Sequence, residues 1–263
     1  MPGALQEIWR AVRSPNCSAG KLAEAVSTDP GLTARVLRMS NSAYYALNRP
    51  VSDVRESVVV LGFEVVKSMA IGASVVDAFK FLGEEFDMNR FWRHSVWTAV
   101  AAEQVAMSAG GLKPEVAFCG GVLHDIGKLA LAAALGPDYR RVMGGADPIE
   151  DAAVSEMKLL GATHSEAGLW LGQKWKFSSD LLDILAYHHT PERAEDSARL
   201  VTAVALAEAL LPQEGEPCVE EDQAELRPEW LEALGLDASS LDVLKTQIGD
   251  RLRAAGPMAA FQS

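Results

Sequence analysis

The chain is organised around the stretch Phe118-Cys119-Gly120-Gly121-Val122-Leu123-His124-Asp125-Ile126-Gly127-Lys128. An apolar run here delivers an adjacent histidine and aspartate, His124 and Asp125, and then breaks at a glycine. This order holds an imidazole nitrogen and a carboxylate oxygen side by side, a pair that suits a hard or borderline divalent metal. We expect a helix that begins near Pro114 to carry the pair at its far end.

The histidines of the chain are gathered around this stretch. The chain has five, and none lies before His94 or after His189. The other three are His124, His164 and His188. A single inward histidine is more often a hydrogen-bonded core residue than a ligand. The gathering of all five around Asp125 nevertheless predicts one shared site.

Length and composition limit the class of protein. The 263 residues can bury a sizeable core, and 49% hydrophobic with 23% charged residues is ordinary for a soluble globular protein. We expect no apolar run long enough to span a bilayer. Residues Met1–Glu7 lack the pattern of a signal peptide, and the cysteines Cys17, Cys119 and Cys218 form no CxxC pair, so a cytoplasmic location with reduced thiols is predicted. The net charge of -12 disfavours a general nucleic-acid or membrane role.

Every strongly periodic segment fits a helix. Asp29 with Pro30 predicts a helix from about Pro30 to Met39, and Ser52 is the predicted cap of a second helix that ends at Gly62. A third helix is predicted from Phe63 to about Phe79. Helix, glycine turn and helix also invite a DNA-binding interpretation. The last helix offers only Lys67, with Asp77 in place of a base-reading cation, so an internal pair of packed helices is the preferred interpretation.

The central helices carry the histidines. A long helix is predicted from about Asp87 to Ser108, with His94 on its inward face. After a loop over residues 136–148 and a helical pattern over 149–160, Thr163-x-x-Glu166 is a capping box. It places His164 in the first turn of a helix, where the dipole favours a neutral imidazole that is able to ligate.

The last third of the chain continues the helical pattern. Ser178-Ser179-Asp180 predicts the start of a helix that Thr190-Pro191 stops directly after His188 and His189. A helix over residues 198–211 carries Glu208 inside its apolar stripe, where a carboxylate requires a cation or a donor. A surface loop over 212–225 and terminal helices over 230–252 complete the pattern.

Together these residues resemble the HDOD family, a signal-transduction relative of the HD and HD-GYP metal-dependent phosphohydrolases. The stretches that carry the resemblance are Asp29–Leu37 with Asn41–Ala43, Leu61–Gly62, Phe91–Ser95, Leu123–Lys128, Gly161–Gly168 and His188–His189. The resemblance implies an all-α fold, an HD-domain-like helical bundle with an N-terminal helical subdomain. It also implies one continuous module with an N-terminal helical part over residues 1–85 and an HD-like part over 86–263.

The resemblance carries a set of metal ligands onto this chain. His94, His124 and Asp125 match the first three ligands of HD enzymes, and the second-metal set falls on the remaining histidines: His164, His188 and His189. The final aspartate of the pattern falls at Glu208, whose carboxylate reaches one methylene further. The resemblance implies one or two divalent ions, with iron, manganese, zinc, magnesium and nickel all open.

Two departures from the HD-GYP pattern bear on activity. Those enzymes hydrolyse cyclic di-GMP and follow their histidine pair with Gly-Tyr-Pro, whereas this chain reads Thr190 through Glu195 there. Some also place a glutamate ligand four residues before the first histidine, where this chain has Arg90. Cyclic di-GMP hydrolysis is therefore not expected.

Two functions follow as hypotheses. The first is a cytoplasmic regulatory module that acts through a separate protein partner or a ligand, with the cluster structural or ligand-sensing. The second is a metal-dependent phosphohydrolase for a nucleotide or other phosphoester, in which Asp125 positions water and Lys128 holds phosphate. The alternative for Lys128 is a solvated cation at a helix end. The tryptophans near the histidine helices, Trp92, Trp97, Trp170 and Trp175, are predicted to be core residues.

Overall fold

The protein is all-α, as predicted. The computed structural model describes residues 7–8, 10–11, 18–79, 81–82, 86–139, 152–211 and 226–259. Within these ranges there are 13 α-helices and no strand. The helices are α1 (Ala19–Ser27), α2 (Pro30–Ser40), α3 (Val54–Leu61), α4 (Phe63–Ala78), α5 (Met88–Ala109), α6 (Pro114–Leu123), α7 (Ile126–Leu135), α8 (Ala152–Leu160), α9 (His164–Trp175), α10 (Ser179–Tyr187), α11 (Ala198–Ala209), α12 (Pro228–Leu234) and α13 (Ala238–Ala259). Short 3-10 turns lie at Ala43–Tyr45 and Pro191–Arg193.

The N-terminal helices begin and end as predicted, except that the cap of α3 is a different residue. Asp29 caps α2, and its Oδ1 accepts from the backbone N–H of Leu32 at 3.0 Å. The cap of α3 is Asp53 and not Ser52, because the Asp53 carboxylate accepts from the N–H of Glu56 at 2.8 Å. Gly62 ends α3 with φ 92°, a conformation that a side chain would strain.

The helix pair α3–α4 packs against the core through one face of α3 and most of α4. Asp77 of α4 forms an ion pair with Arg35 of α2, and Lys67 pairs with Glu64 on its own helix. The two charged side chains that a DNA-reading helix would use are therefore engaged within the protein. The buried faces of α3 and α4 fit a pair of packed helices, and the expectation against DNA binding stays a prediction.

Two glycines let the histidine-bearing helices approach closely. A Cβ on Gly121 of α6 would lie 2.5 Å from the Cα of Ala99 on α5, and a Cβ on Gly127 of α7 would overlap the carbonyl oxygen of His164 on α9. Both contacts are backbone to backbone, so only glycine fits without moving a helix. They fix α6 against α5 and α7 against α9, which brings the ends of these helices to one place.

The core contains three of the four tryptophans that were predicted there. Trp92, Trp97 and Trp175 are buried. The prediction was wrong for Trp170, which is 59% exposed and lies beneath the ammonium group of Lys174. A tryptophan close to a buried histidine in sequence is not on the same face when their spacing is six residues, since six residues span 1.7 helical turns.

One apolar stretch among the described residues passes the length and composition test for a membrane span, against expectation. This stretch is Pro114–Leu135, which comprises α6 and α7, and 78% of its most apolar window is buried inside the protein. Core helices of globular proteins show the same combination of apolar sequence and burial.

Several predictions fall wholly or partly outside the described residues. They are Cys17, Cys218, the loop over 212–225 and most of the loop over 136–148. Cys119 is buried and is a free thiol. The division at residue 85 remains a prediction.

Candidate metal centre

Two groups of metal-ligating side chains meet in the centre of the bundle. One group is His94, His124, Asp125 and Glu208, and the other is His164, His188 and His189. Within each group, the ligand atoms lie within 4.8 Å of one another. All of these side chains are buried except that of His189, which is partly buried. The structure thus brings together every residue that the sequence assigned to the shared site.

The first group is formed by two histidines and two carboxylates. The Nε2 atoms of His94 and His124 are 3.2 Å apart. Asp125 Oδ2 lies 3.4 Å from the first nitrogen and 3.2 Å from the second. Glu208 Oε1 lies 3.5 and 3.6 Å from the same two atoms. Two imidazole nitrogens and two carboxylate oxygens therefore face a common point.

The second group is formed by three histidines. His164 Nε2 lies 3.2 Å from His188 Nε2 and 2.9 Å from His189 Nε2. The second oxygen of Asp125 faces this group, because Oδ1 is 3.5 Å from His164 Nε2 and 3.8 Å from His188 Nε2. Asp125 is therefore shared between the two groups.

Helix ends explain how so few residues reach one place. His124 and Asp125 occupy the break between α6 and α7, and His164 is the first residue of α9. His188 and His189 follow the last residue of α10, so the adjacent pair is not held to the 100° separation of a regular helix. The capping box at Thr163 is present as predicted. Ser178 caps α10 only through its backbone conformation, with no side-chain hydrogen bond.

Backbone carbonyls orient two of the rings. His124 Nδ1 lies 2.8 Å from the carbonyl oxygen of Gly121, and His188 Nδ1 lies 3.0 Å from that of Ile184. A carbonyl oxygen only accepts, so each Nδ1 donates its proton and each Nε2 points toward the cluster, where it can bind a metal once it is deprotonated. This is the orientation that a metal-ligating histidine requires.

The carboxylate oxygens supply the test of whether a cation fits. Asp125 Oδ1 and both oxygens of Glu208 are buried without a hydrogen-bond donor among the described residues. A buried carboxylate without donors is costly, and the usual resolutions are a cation or protonation. The pattern of mixed nitrogen and oxygen donors around these oxygens fits one or two divalent metal ions.

The pKa shifts of the histidines differ between the two groups. Burial lowers the pKa of His124, but the nearby Asp125 and Glu208 carboxylates outweigh it and raise that pKa to about 10. Burial is also the main reason that the pKa values of His164 and His188 fall below the usual range of histidine. The shift is in the direction of the predicted neutral His164, and its chief cause is burial.

Lys128 lies beside the shared aspartate. Its Nζ is 3.0 Å from Asp125 Oδ2, and the residue is only 5% exposed. Burial lowers the pKa of Lys128, yet the Asp125 carboxylate reverses this and the net shift is upward. The alternative of a solvated cation at a helix end is wrong, since Lys128 is buried in the first turn of α7.

Sequence reasoning missed a carboxylate behind the second group. Glu156 of α8 is fully buried and lies 2.7 Å from His164 Nδ1. Its neighbours three and four residues away on α8 are Ala152, Ala153, Leu159 and Leu160. This is the same signal, a carboxylate inside an apolar stripe, that singled out Glu208.

Comparisons with known proteins agree with this fold. A family model described as the HDOD domain matches residues 1–191. The chain is 25% identical to a candidate signal transduction protein from Marinobacter aquaeolei, with a TM-score of 0.78 over 98% of this chain and 57% of that chain. It is 26% identical to a candidate phosphohydrolase from Shewanella amazonensis, with a TM-score of 0.77 over 98% of this chain and 93% of that chain.

A curated relative of uncharacterized function from Treponema pallidum is 24% identical over 217 residues. The match covers 79% of this chain and spans 40% of that relative's length.

Proposed function

The chain belongs to the HDOD domain family, and on that premise we propose that it is a regulatory module whose buried His/Asp/Glu cluster binds divalent metal. The observation that carries the proposal is the combination of enclosure and of buried carboxylate oxygens without hydrogen-bond donors. Six of the seven clustered side chains are buried, and three of their carboxylate oxygens have no donor among the described residues. Catalytic metal sites keep an open position for substrate, whereas structural metal sites are closed.

The residues have separable tasks in this proposal. His94, His124 and Glu208 would hold one ion, and the three histidines at 164, 188 and 189 would hold another. Asp125 would face both. A bound divalent ion supplies concentrated positive charge and Lewis acidity. Five imidazole donors favour iron, zinc or nickel over magnesium, which prefers oxygen ligands.

A second candidate function is a metal-dependent phosphohydrolase. The specific observation in its favour is Lys128, a buried cation 3.0 Å from the Asp125 carboxylate. In such an enzyme Lys128 would bind a phosphate oxygen and Asp125 would orient water. The name of the Shewanella amazonensis protein supports a hydrolase, and that of the Marinobacter aquaeolei protein supports signal transduction.

The regulatory proposal includes a cytoplasmic setting and a separate protein partner. The buried free thiol of Cys119 is compatible with a reducing compartment. A protein partner, and any nucleotide or phosphoester ligand, are part of this proposal. The partner would be a protein that is retained only by the metal-loaded chain.

Turnover distinguishes the two functions. Protein loaded with Mn²⁺ or Fe²⁺ under reducing conditions is incubated with bis-p-nitrophenyl phosphate, nucleoside monophosphates and cyclic dinucleotides. The regulatory function predicts no sustained turnover and a partner that is retained only by metal-loaded protein. Multiple turnovers that disappear in Asp125→Asn would contradict it and establish the hydrolase.

A further inference from the structure

His164 is held from behind by a single carboxylate oxygen. Glu156 Oε2 lies 2.7 Å from His164 Nδ1 and accepts the backbone N–H of His164 at 2.5 Å. One oxygen therefore fixes both the ring and the first peptide group of α9. Because the carboxylate only accepts when ionised, Nδ1 must carry the proton.

The other oxygen of Glu156 is fixed as well. The hydroxyl of Tyr139 donates to Glu156 Oε1 at 2.6 Å, and both residues are buried. Both oxygens of Glu156 therefore have hydrogen-bond partners, and the carboxylate has little freedom to rotate.

We propose that Glu156 is a positioning residue for the three-histidine half of the cluster, which holds His164 in the tautomer whose Nε2 lone pair faces His188, His189 and Asp125. This inference rests on the proposed function, since it assigns Glu156 a task in metal binding. Tyr139 acts one step further back by fixing the carboxylate. Of the four residues in the other group, only the shared Asp125 faces His164.

Charge balance explains why a carboxylate accepts the hydrogen bond from His164 Nδ1, whereas backbone carbonyls accept it from His124 and His188. His124 and His188 each donate to a carbonyl oxygen, which is neutral. The first half has two carboxylates facing its nitrogens, Asp125 and Glu208, whereas the three-histidine half has only the shared Asp125. Glu156 supplies the missing negative charge through the His164 ring, and a carboxylate behind an imidazole raises the basicity of its other nitrogen.

The alternative is a purely structural role, in which Glu156 only accepts the backbone N–H at the start of α9. Glu156→Gln separates the two, because a glutamine oxygen can still accept from the His164 N–H while the negative charge is lost. Tyr139→Phe is a milder variant that keeps the carboxylate and removes one donor to it. His189→Ala and His94→Ala each remove a direct ligand and thereby identify which half binds which ion.

The experiment is a titration of the full chain with Co²⁺, followed by calorimetry and visible absorption. One Co²⁺ ion is expected to lose its binding in His189→Ala. In Glu156→Gln that ion should bind about 10–100-fold more weakly, the usual effect of losing an outer carboxylate partner. The other ion, whose binding is lost in His94→Ala, should bind to Glu156→Gln with the affinity of the parent. Tyr139→Phe should show a smaller loss of affinity in the three-histidine half. If Glu156→Gln binds both ions as the parent does, the inference is wrong. If that variant does not fold, Tyr139→Phe decides by the same criterion.

A measurement without metal keeps this inference distinct from the proposed function. Long-range ¹⁵N–¹H correlation of the imidazole rings reports which nitrogen of His164 is protonated in chelator-treated protein. If the parent binds no Co²⁺, the proposed function fails and the part Glu156 plays in metal affinity fails with it. The tautomer then decides the remaining claim. A proton on Nδ1 that is redistributed in Glu156→Gln supports the positioning by Glu156, and a proton on Nε2 in the parent overturns it.

Discussion

Asp125 and His164 face each other at the centre of the bundle: Asp125 Oδ1 lies 3.5 Å from His164 Nε2. The other oxygen of the same carboxylate, Oδ2, lies 3.2 Å from His124 Nε2. A single side chain between α6 and α7 thus faces both halves of the cluster. The two halves are therefore expected to depend on it together.

Asp125→Asn tests this dependence. Asparagine keeps the shape of the side chain but has one oxygen and no charge, so both ions should bind more weakly, each by at least the roughly 10–100-fold that loss of an outer partner causes. Calorimetric titration with Mn²⁺ measures both affinities. His189→Ala is the matched control, which should weaken one ion alone. An Asp125→Asn protein that loses only one ion would show that Asp125 is not shared.

Chelator-treated protein should become less stable as the pH rises through the alkaline range. The folded-state pKa of His124 is raised from 6.5 to about 10 by Asp125 and Glu208, against the effect of burial. A raised pKa stabilises the fold fully below the unfolded value, and this stabilisation is lost as the pH approaches 10. His164 and His188, whose pKa values are lowered, have lost their protons in both states above about pH 7.5 and add no slope there.

Urea unfolding in the presence of EDTA measures this slope. The free energy of unfolding should fall between about pH 7.5 and 10 in the parent, and His124→Asn should lack the part of the slope that His124 contributes. A parent protein whose stability is constant or rises across this window would show that His124 is neutral in the folded state. The pairing of His124 with the two carboxylates would then be wrong.

Gly127→Ala should destabilise the fold strongly. A methyl group there would overlap the carbonyl oxygen of His164, and neither backbone can move without displacing α7 or α9. We expect a loss of about 3 kcal/mol or more, the upper part of the range for overpacking. Chemical denaturation measures it.

Gly249→Ala is the matched control for the glycine prediction. Gly249 lies within α13, and an added Cβ would meet only the Arg253 side chain, at 3.6 Å. Alanine in an exposed helix is favoured over glycine by about 0.5–1 kcal/mol, so this variant should be slightly more stable than the parent. Equal losses in the two variants would contradict the close approach of α7 to α9.

Cyclic di-GMP should not be hydrolysed at an enzymatic rate even when metal is bound. The segment after the histidine pair is a 3-10 turn over Pro191–Arg193 with Pro191 buried, and Glu192 adds negative charge on the surface. Lost positioning and repulsion of a dianion both slow the reaction. Chromatography after loading with Mn²⁺ or Fe²⁺ measures the product, with a His124→Ala, Asp125→Ala protein as the control. Multiple turnovers that this control lacks would contradict the prediction.

Local signals predicted much of the site. The capping box at Thr163 fixed the start of α9 and so the place of His164, and the carboxylate inside an apolar stripe pointed to Glu208. Both signals involve residues at most four apart, and helix periodicity places such residues on one face, so the sequence alone shows them. Convergence of the histidines followed from their positions at helix ends and on inward faces.

Contacts between distant residues were beyond such signals. The bond from Tyr139 to Glu156 joins residues 17 apart, and the burial of Lys128 depends on how α7 packs against α9. Trp170 was assigned to the core from its neighbours in sequence, although the orientation of α9 exposes it. The cap of α3 was assigned to Ser52 because serine and aspartate are equally good caps and only the backbone decides between them.

The metal content of the protein is the most direct test of the account. Elemental analysis of chain purified without added metal, and again after incubation with Mn²⁺, Fe²⁺ or Zn²⁺ followed by desalting, should find one or two divalent ions per chain. The His124→Ala, Asp125→Ala protein, provided that it remains helical by circular dichroism, should bring this content to the background of the buffer. A folded parent protein that neither carries nor takes up a divalent ion would contradict the account.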